Sequence, residues 1–227
     1  MDSLVLDNAV WAALSGPQAG IAQTYGSARR FPPEVSPFGA IEDKGDMKCW
    51  SDLATLVGPG GHVVLTGTSE INLPAGWEEL GAGTGKQMTG ESVMGQVDPE
   101  VIALGVVDVP AMLDLISRTE PGPFLPRTVE LGGYLGFRVD GALVAMAGRR
   151  LNAPGWVEIS AVCTDPAYRG QGMGRRLVNA VAAGIRADGA VPFLHVSETN
   201  DNAIRLYEKL GFQIRGRAMF KVVKAPA

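Results

Sequence analysis

Long apolar runs, cysteines and surplus positive charge are all scarce in this chain of 227 residues, and each scarcity removes a class of protein. No stretch approaches the roughly eighteen apolar residues that a bilayer crossing needs, so a membrane partner is not expected. The two cysteines, Cys49 and Cys163, lie far apart, and Met1-Asp2-Ser3-Leu4 lacks the basic and apolar regions of a signal peptide, so a cytoplasmic setting is expected. A formal net charge of −4 argues against nucleic-acid binding, because Arg149-Arg150 and Arg175-Arg176 are too short for a basic stripe along a duplex. Aromatic residues make up only 7% of the chain against 46% apolar in all, which points to a globular core of Val, Leu, Ala and Ile. The length allows one large domain or two smaller ones.

What is present sorts into two parts. In the first, Asp7 to Leu14 reads as a helix, and Phe31-Pro32-Pro33 with Ser36-Pro37 as loop or extended chain. Ser51 is placed to cap a helix ending at Val57, Gly58-Pro59-Gly60-Gly61 breaks it, and His62 to Thr66 reads as a strand. Gly81-Ala82-Gly83-Thr84-Gly85-Lys86 imitates a P-loop, but the spacing is one residue short and Gln87 replaces the Ser or Thr that would bind magnesium, so a flexible hairpin turn is expected. A polar stretch ending near Pro99 suggests a boundary between residues 1–98 and residues 99–227. The N-terminal α/β portion is then a lid or a degenerate copy of the C-terminal part.

The second part carries a sharper pattern. Val101 to Leu104 reads as a short buried strand, and Asp108 caps a helix running to about Arg118. Asp140-Gly141 is suited to a tight turn between strands at Gly133 to Val139 and Leu143 to Arg149. Trp156 to Thr164 is another strand, and the helix after the next glycines shows Leu177, Ala180, Val181, Gly184 and Ile185 on one face. A strand at Val191 to Val196, a helix with Ala203, Leu206, Tyr207 and Leu210 on its apolar face, and a strand near Phe220 to Val223 complete the order.

The stretch from Val162 to Leu177 joins a strand to a helix through Arg169-Gly170-Gln171-Gly172-Met173-Gly174-Arg175. Glycines let backbone N–H groups approach a ligand, and the helix start adds unpaired donors and the positive end of its dipole, so the segment is an anion site. A dinucleotide fold would want Gly-x-Gly-x-x-Gly in the first strand-to-helix turn, and a P-loop would end in Gly-Lys-Ser/Thr; neither matches here.

Arg169-x-x-Gly172-x-Gly174 resembles the signature of the GNAT N-acetyltransferase superfamily, and Val162-Cys163-Thr164 before the loop is especially similar to its FR47-like subgroup. A second block, from Asn200 to Phe212, is similar to the family's Asn-x-x-Ala-x-x-Leu-Tyr-x-x-x-Gly-Phe motif, apart from Asn202, which stands where a small residue is usual. The resemblance covers about Glu100 to Lys224 and implies an α/β fold with a central mixed, mostly antiparallel sheet flanked by helices. It implies acetyl-CoA as co-substrate and no metal, with the pyrophosphate held by the N–H groups of Gln171 to Arg175 and with Arg169, Gly170 and Asn200 also at the cofactor. Main-chain groups of Val162, Cys163 and Thr164 would pair with the pantetheine arm.

The implied reaction is direct acetyl transfer in a ternary complex to an amine of a small molecule or peptide. Glu158 is the candidate base, since an ammonium with a pKa of about 10 must lose its proton before attack. Strand alternation puts Glu158, Ser160 and Val162 on one face. Tyr207 is the candidate acid for the departing thiolate. Phe124, Arg127 and Tyr134 fall where the family builds its acceptor pocket. Against these stand plainer readings: Cys163 as a small buried hydrophobe rather than an acyl carrier, and His195 as a packed strand histidine rather than a base. A non-catalytic acyl-CoA-binding sensor and a homodimer stay open at this point.

Overall fold

The computed structural model describes residues 2–227. A short 3-10 turn leads into α1 (Ala9–Leu14), beyond which β1 (Gln23–Tyr25), β2 (Ala28–Arg30) and β3 (Gly39–Ile41) form a small antiparallel sheet. This sheet was not expected; its strands are three residues each, too short to show alternation. Helix α2 (Met47–Val57) is capped by Asp46, whose side chain accepts the Lys48 N–H, and not by Ser51, which lies inside the helix.

The central sheet has eight strands in the order β4-β11-β5-β10-β9-β8-β7-β6: β4 (His62–Gly67), β5 (Glu78–Thr89), β6 (Ile102–Ala103), β7 (Leu135–Val139), β8 (Ala142–Ala153), β9 (Trp156–Thr164), β10 (Val191–Ser197) and β11 (Gln213–Lys224). Every neighbouring pair is antiparallel except β9 and β10. The β7–β8 turn forms as expected, with Asp140 and Gly141 both at positive φ. Strand β6 is a two-residue edge strand whose residues are exposed; the burial expected for it is confined to Leu104 beside it.

Residues 1–98 do not stand beside this sheet as a lid. Strand β5 is inserted between β10 and β11, pairing Gln87 with His195 on one side and Ala82 with Lys221 on the other, and β4 extends the far edge. The glycine run expected to be a hairpin turn is therefore the middle of a strand. At Gly85 a glycine is required, because a Cβ there would sit 2.5 Å from the Val196 carbonyl oxygen. The stretch up to Pro99 is likewise pinned. Arg186 donates to the carbonyls of Gly90 and Val93, and Arg176 pairs with Asp98.

The pleat sorts the core into two layers. Alternate residues Ala145, Ala147, Val157, Ile159, Leu194 and Val196 face α4 (Met173–Ala187) and α5 (Asp201–Lys209), meeting Leu177, Val181, Ile185 and Ile204. The other face packs Trp156 and Phe193 against α1, and Met146 and Cys163 against α3 (Val109–Thr119). Full burial of Leu177, Val181 and Ile185 contributes roughly 1.5–3 kcal/mol each, which fixes α4 and so the loop that starts it. Among the described residues, no helix is long and apolar enough to cross a membrane.

Candidate active site

Strands β9 and β10 are paired from Trp156 with Val191 to Ile159 with Leu194, and part beyond that point. Each continues against its other neighbour: β9 to Thr164 along β8, and β10 to Ser197 along β5. The separation leaves one backbone edge of Ser160 to Thr164 without a strand partner, facing a cleft of about 540 Å³. Ala161 has φ +53°, a bulge at which the β8–β9 register shifts. The expected alternation therefore holds from Glu158 to Ser160 and breaks before Val162.

The glycine loop closes one end of this cleft. Asp165 accepts the Ala167 N–H, and Arg169 Nε donates to the Thr164 carbonyl at 3.2 Å, so the chain turns sharply after the strand. Gly170 and Gly172 both have φ +78°, a conformation that costs any residue with a Cβ, and Gly172 is the N-cap of α4. The intrahelical ladder begins with Arg176 donating to the Gly172 carbonyl at 3.1 Å, so Met173, Gly174 and Arg175 come before any helical acceptor. A Cβ on Gly174 would meet nothing nearer than Thr164 Oγ1 at 3.9 Å, leaving room over these donors. An extended molecule with an anionic group at one end fits this arrangement: anion on the helix start, body along the open edge of β9.

Val162, Cys163, Thr164, Arg169, Gly174, Asn200 and Tyr207 all line the cleft, whereas Gly170, Gln171, Gly172 and Met173, between Arg169 and Gly174 in the chain, do not. Arg175 borders a separate shallow depression beside Gln96 and Asp98. Asn200 uses its side-chain oxygen to cap α5, accepting the Ala203 N–H at 3.1 Å, so its amide group is what remains for a ligand. Tyr207 is 7% exposed, and its hydroxyl has no hydrogen-bond partner among the described residues. Burial pushes its pKa up to about 12, which keeps it a proton donor near neutral pH. Burial also pushes the Cys163 thiol up, leaving little thiolate for nucleophilic attack.

Glu158, the candidate base, does not stand free in the cleft. It is fully buried, with Oε2 accepting from Arg150 Nε at 2.8 Å and Oε1 from Arg150 Nη2 at 2.6 Å and His195 Nδ1 at 2.7 Å. Burial alone would raise its pKa. The Arg150 charge and hydrogen bonds, with the His195 bond, outweigh it and hold the carboxyl at about 2. Arg150 in turn lies over the Phe38 ring at 4.8 Å. Arg150 and His195 both line the cleft, so the buried carboxylate reaches it through them. Sequence reasoning missed Arg150, taking it for half of a surface pair. The available signal was Glu158 itself, an acid between Val157 and Ile159 in a strand buried on both faces, which needs a cation nearby.

Phe124, Arg127 and Tyr134 do not meet at the cleft. Phe124 and Tyr134 are buried edge to face at 5.4 Å, and Arg127 pairs with Glu130 on the surface. Thr119 at the end of α3, with Glu120 and Pro121 just after it, lines the cleft instead.

Residues 134–220 match the family model described as FR47-like protein. The N-alpha-acetyltransferase RimI of Mycobacterium tuberculosis is 40% identical over 99 residues, which are 41% of this chain and 61% of that protein. A mycothiol acetyltransferase of Streptosporangium roseum is 52% identical over 56 residues, 24% of this chain and 17% of that protein. The chain thus spans less than two thirds of the length of these curated relatives. A crystal structure of a GNAT-family protein from Novosphingobium aromaticivorans superposes with a TM-score of 0.89 at 38% identity, covering 98% of this chain and 99% of that one.

Proposed function

The chain belongs to the GNAT family of acetyltransferases, and we propose that it moves an acetyl group from acetyl-CoA directly to an amine of a small molecule or peptide bound in the same cleft. The observation that carries this reading is the parted edge of β9 running into the glycine loop, with Tyr207 lining the same cleft. Bound acetyl-CoA would supply an activated acyl group and a thiolate leaving group. The N–H groups of Gln171 to Arg175 hold its pyrophosphate, with Arg169, Gly170 and Asn200 beside them, and the backbone of Val162, Cys163 and Thr164 pairs with its arm. One N–H of that edge polarises the acyl carbonyl, a preorganised donor that needs no rearrangement.

Tyr207 gives its proton to the departing sulfur. Glu158 supports the chemistry through Arg150 and His195 rather than by taking the amine proton itself, since a carboxylate held near 2 is a poor acceptor from an ammonium with a pKa of about 10. The proton leaves through water in the open cleft. Cys163 takes no part, so no acyl-enzyme forms. We assign this chemistry to residues 99–227 and support of the sheet to residues 1–98. The two relatives are named for different acetylations, N-alpha in one and mycothiol in the other, which is why the acceptor is left at the level of an amine.

The test is calorimetry with acetyl-CoA, then thiol release against a panel of amines and N-terminal peptides. Saturable cofactor binding and amine-dependent thiol release are expected. A protein that binds no CoA compound, or one whose thiol release is indifferent to every amine, overturns the reading.

A further inference from the structure

We infer that Gln87, from the inserted strand β5, is a positioning residue that fixes His195 as the neutral ring protonated on Nδ1, so that Glu158 is shared between one cation and one neutral donor. The hydrogen-bond partners decide the matter without reference to the ring itself. Arg215 Nη1 lies 2.7 Å from one end of the Gln87 amide, and a guanidinium only donates, so that end is the oxygen. The Leu6 carbonyl lies 3.0 Å from the other end and only accepts, so that end is the nitrogen. Both neighbours assign the same orientation, and the usual ambiguity between amide nitrogen and oxygen disappears.

The amide nitrogen also lies 3.1 Å from His195 Nε2. As it can only donate, Nε2 accepts and carries no proton. The ring proton is then on Nδ1, where it donates to Glu158 Oε1 at 2.7 Å. A second proton on Nε2 would set N–H against N–H, and the amide cannot turn over to relieve this without losing both Arg215 and Leu6. Arg215 is held by Asp7 at 2.7 Å, so the lock is anchored on the 3-10 turn before α1.

The charged groups around the ring are Glu158 on β9, Arg150 behind it on β8, and Arg215 on β11 beyond Gln87; Asp7 backs Arg215. The remaining faces are aromatic, with Phe193 and Phe220 edge to face at 5.7 and 5.6 Å. The ring proton therefore stays on Nδ1, facing the Glu158 carboxylate. This has two consequences for the site, resting on the acetyl-transfer reading above. His195 does not serve as the base for the amine, and the wall it shares with Arg150 and Glu158 carries no surplus positive charge.

The test reads the ring directly. The chain has two histidines, His195 and the exposed His62, so nitrogen-15 spectra of untagged protein resolve both, with His62→Gln giving the assignment. Native His195 is expected to show protonated Nδ1 and bare Nε2. Gln87→Glu puts an acceptor beside Nε2 and is expected to give the doubly protonated ring near neutral pH. It should lower kcat about tenfold and add an ionisation to the kcat/KM profile, with the acetyl-CoA KM held within about twofold. Gln87→Leu, which cannot donate and brings no buried charge, is expected to let the ring titrate, and serves if the first variant does not fold. A native ring protonated on Nε2, a ring state indifferent to both substitutions, or unchanged kcat and pH profile in a variant with an altered ring would overturn the proposal. The spectra need no substrate, so an absence of acetyl transfer in the native protein would sink the functional reading and leave the ring assignment standing.

Discussion

Replacing Arg150 by Met keeps a stem over Phe38 and removes the charge on which Glu158 depends. In the native protein burial pushes the carboxyl up, but Arg150 and His195 pull it from 4.5 down to about 2. A depressed carboxyl stabilises the fold above its unfolded pKa, and that contribution is lost as pH falls from 4.5 through about 2. At about 1.4 kcal/mol per unit the shift corresponds to roughly 3 kcal/mol, close to the roughly 3–5 kcal/mol expected for breaking a buried pair. In Arg150→Met burial is opposed by His195 alone, so the carboxyl is expected to rise above its unfolded value and the folded chain to keep a proton that the unfolded chain releases. Stability should then fall as pH rises past 4.5, the reverse of the native slope, with a loss on the order of 3 kcal/mol near neutral pH. Urea unfolding monitored by tryptophan fluorescence on both sides of that pH measures it. A variant that keeps the native slope, or that loses less than about 1 kcal/mol near neutral pH, would refute the claim that Arg150 controls Glu158.

Three substitutions test the rest of the cleft. Tyr207→Phe should lower kcat by about a hundredfold and leave the acetyl-CoA KM within about twofold in steady-state assays; a matched rise in KM would point to packing instead. Gly172→Val places a β-branched residue at φ +78° where α4 begins, and should weaken CoA binding by calorimetry about tenfold or more, with no comparable loss for a substrate lacking the nucleotide. Cys163→Ala should retain activity within about threefold and show no loss of a pre-steady-state burst, whereas an acyl-enzyme route would be abolished by it.

Legibility in the sequence depends on the range of the interactions involved. The strand, loop and helix from Trp156 to Ala187 were legible because each signal is local: a short, largely apolar run in β9, glycines where φ turns positive, and a period of 3.6 in α4. The same holds for the apolar face of α5, whereas Asn200 was read as a cofactor residue and its capping of that helix was not foreseen. Strand β5 was not, because its glycines carry no side-chain pattern and its partners lie more than a hundred residues on, as with Gln87 and Arg215. The cleft was legible as a motif. The network behind it was not, since Arg150, Glu158, His195 and Gln87 come from four strands whose adjacency is set by sheet order alone.

That sheet order makes a strong claim about residues 1–98, which a motif-based division treats as separable. A chain carrying residues 99–227 alone would leave β10 from Phe193 to Ser197 without its β5 partner, and β11 without either neighbour along its twelve residues. It would also uncover Trp156 and Phe193, which pack against α1 and Phe31. Bare edges and an exposed apolar face of this kind promote association between chains. The truncated chain is therefore expected to be insoluble or to form soluble aggregates on size exclusion, and co-expression with residues 1–98 to restore both a single peak and activity, because β5 can dock between β10 and β11 as a separate strand. A truncated chain that ran as a discrete folded species and turned over acetyl-CoA would show that the parted edge of β9 holds its shape without β5, and that the lock on His195 is dispensable.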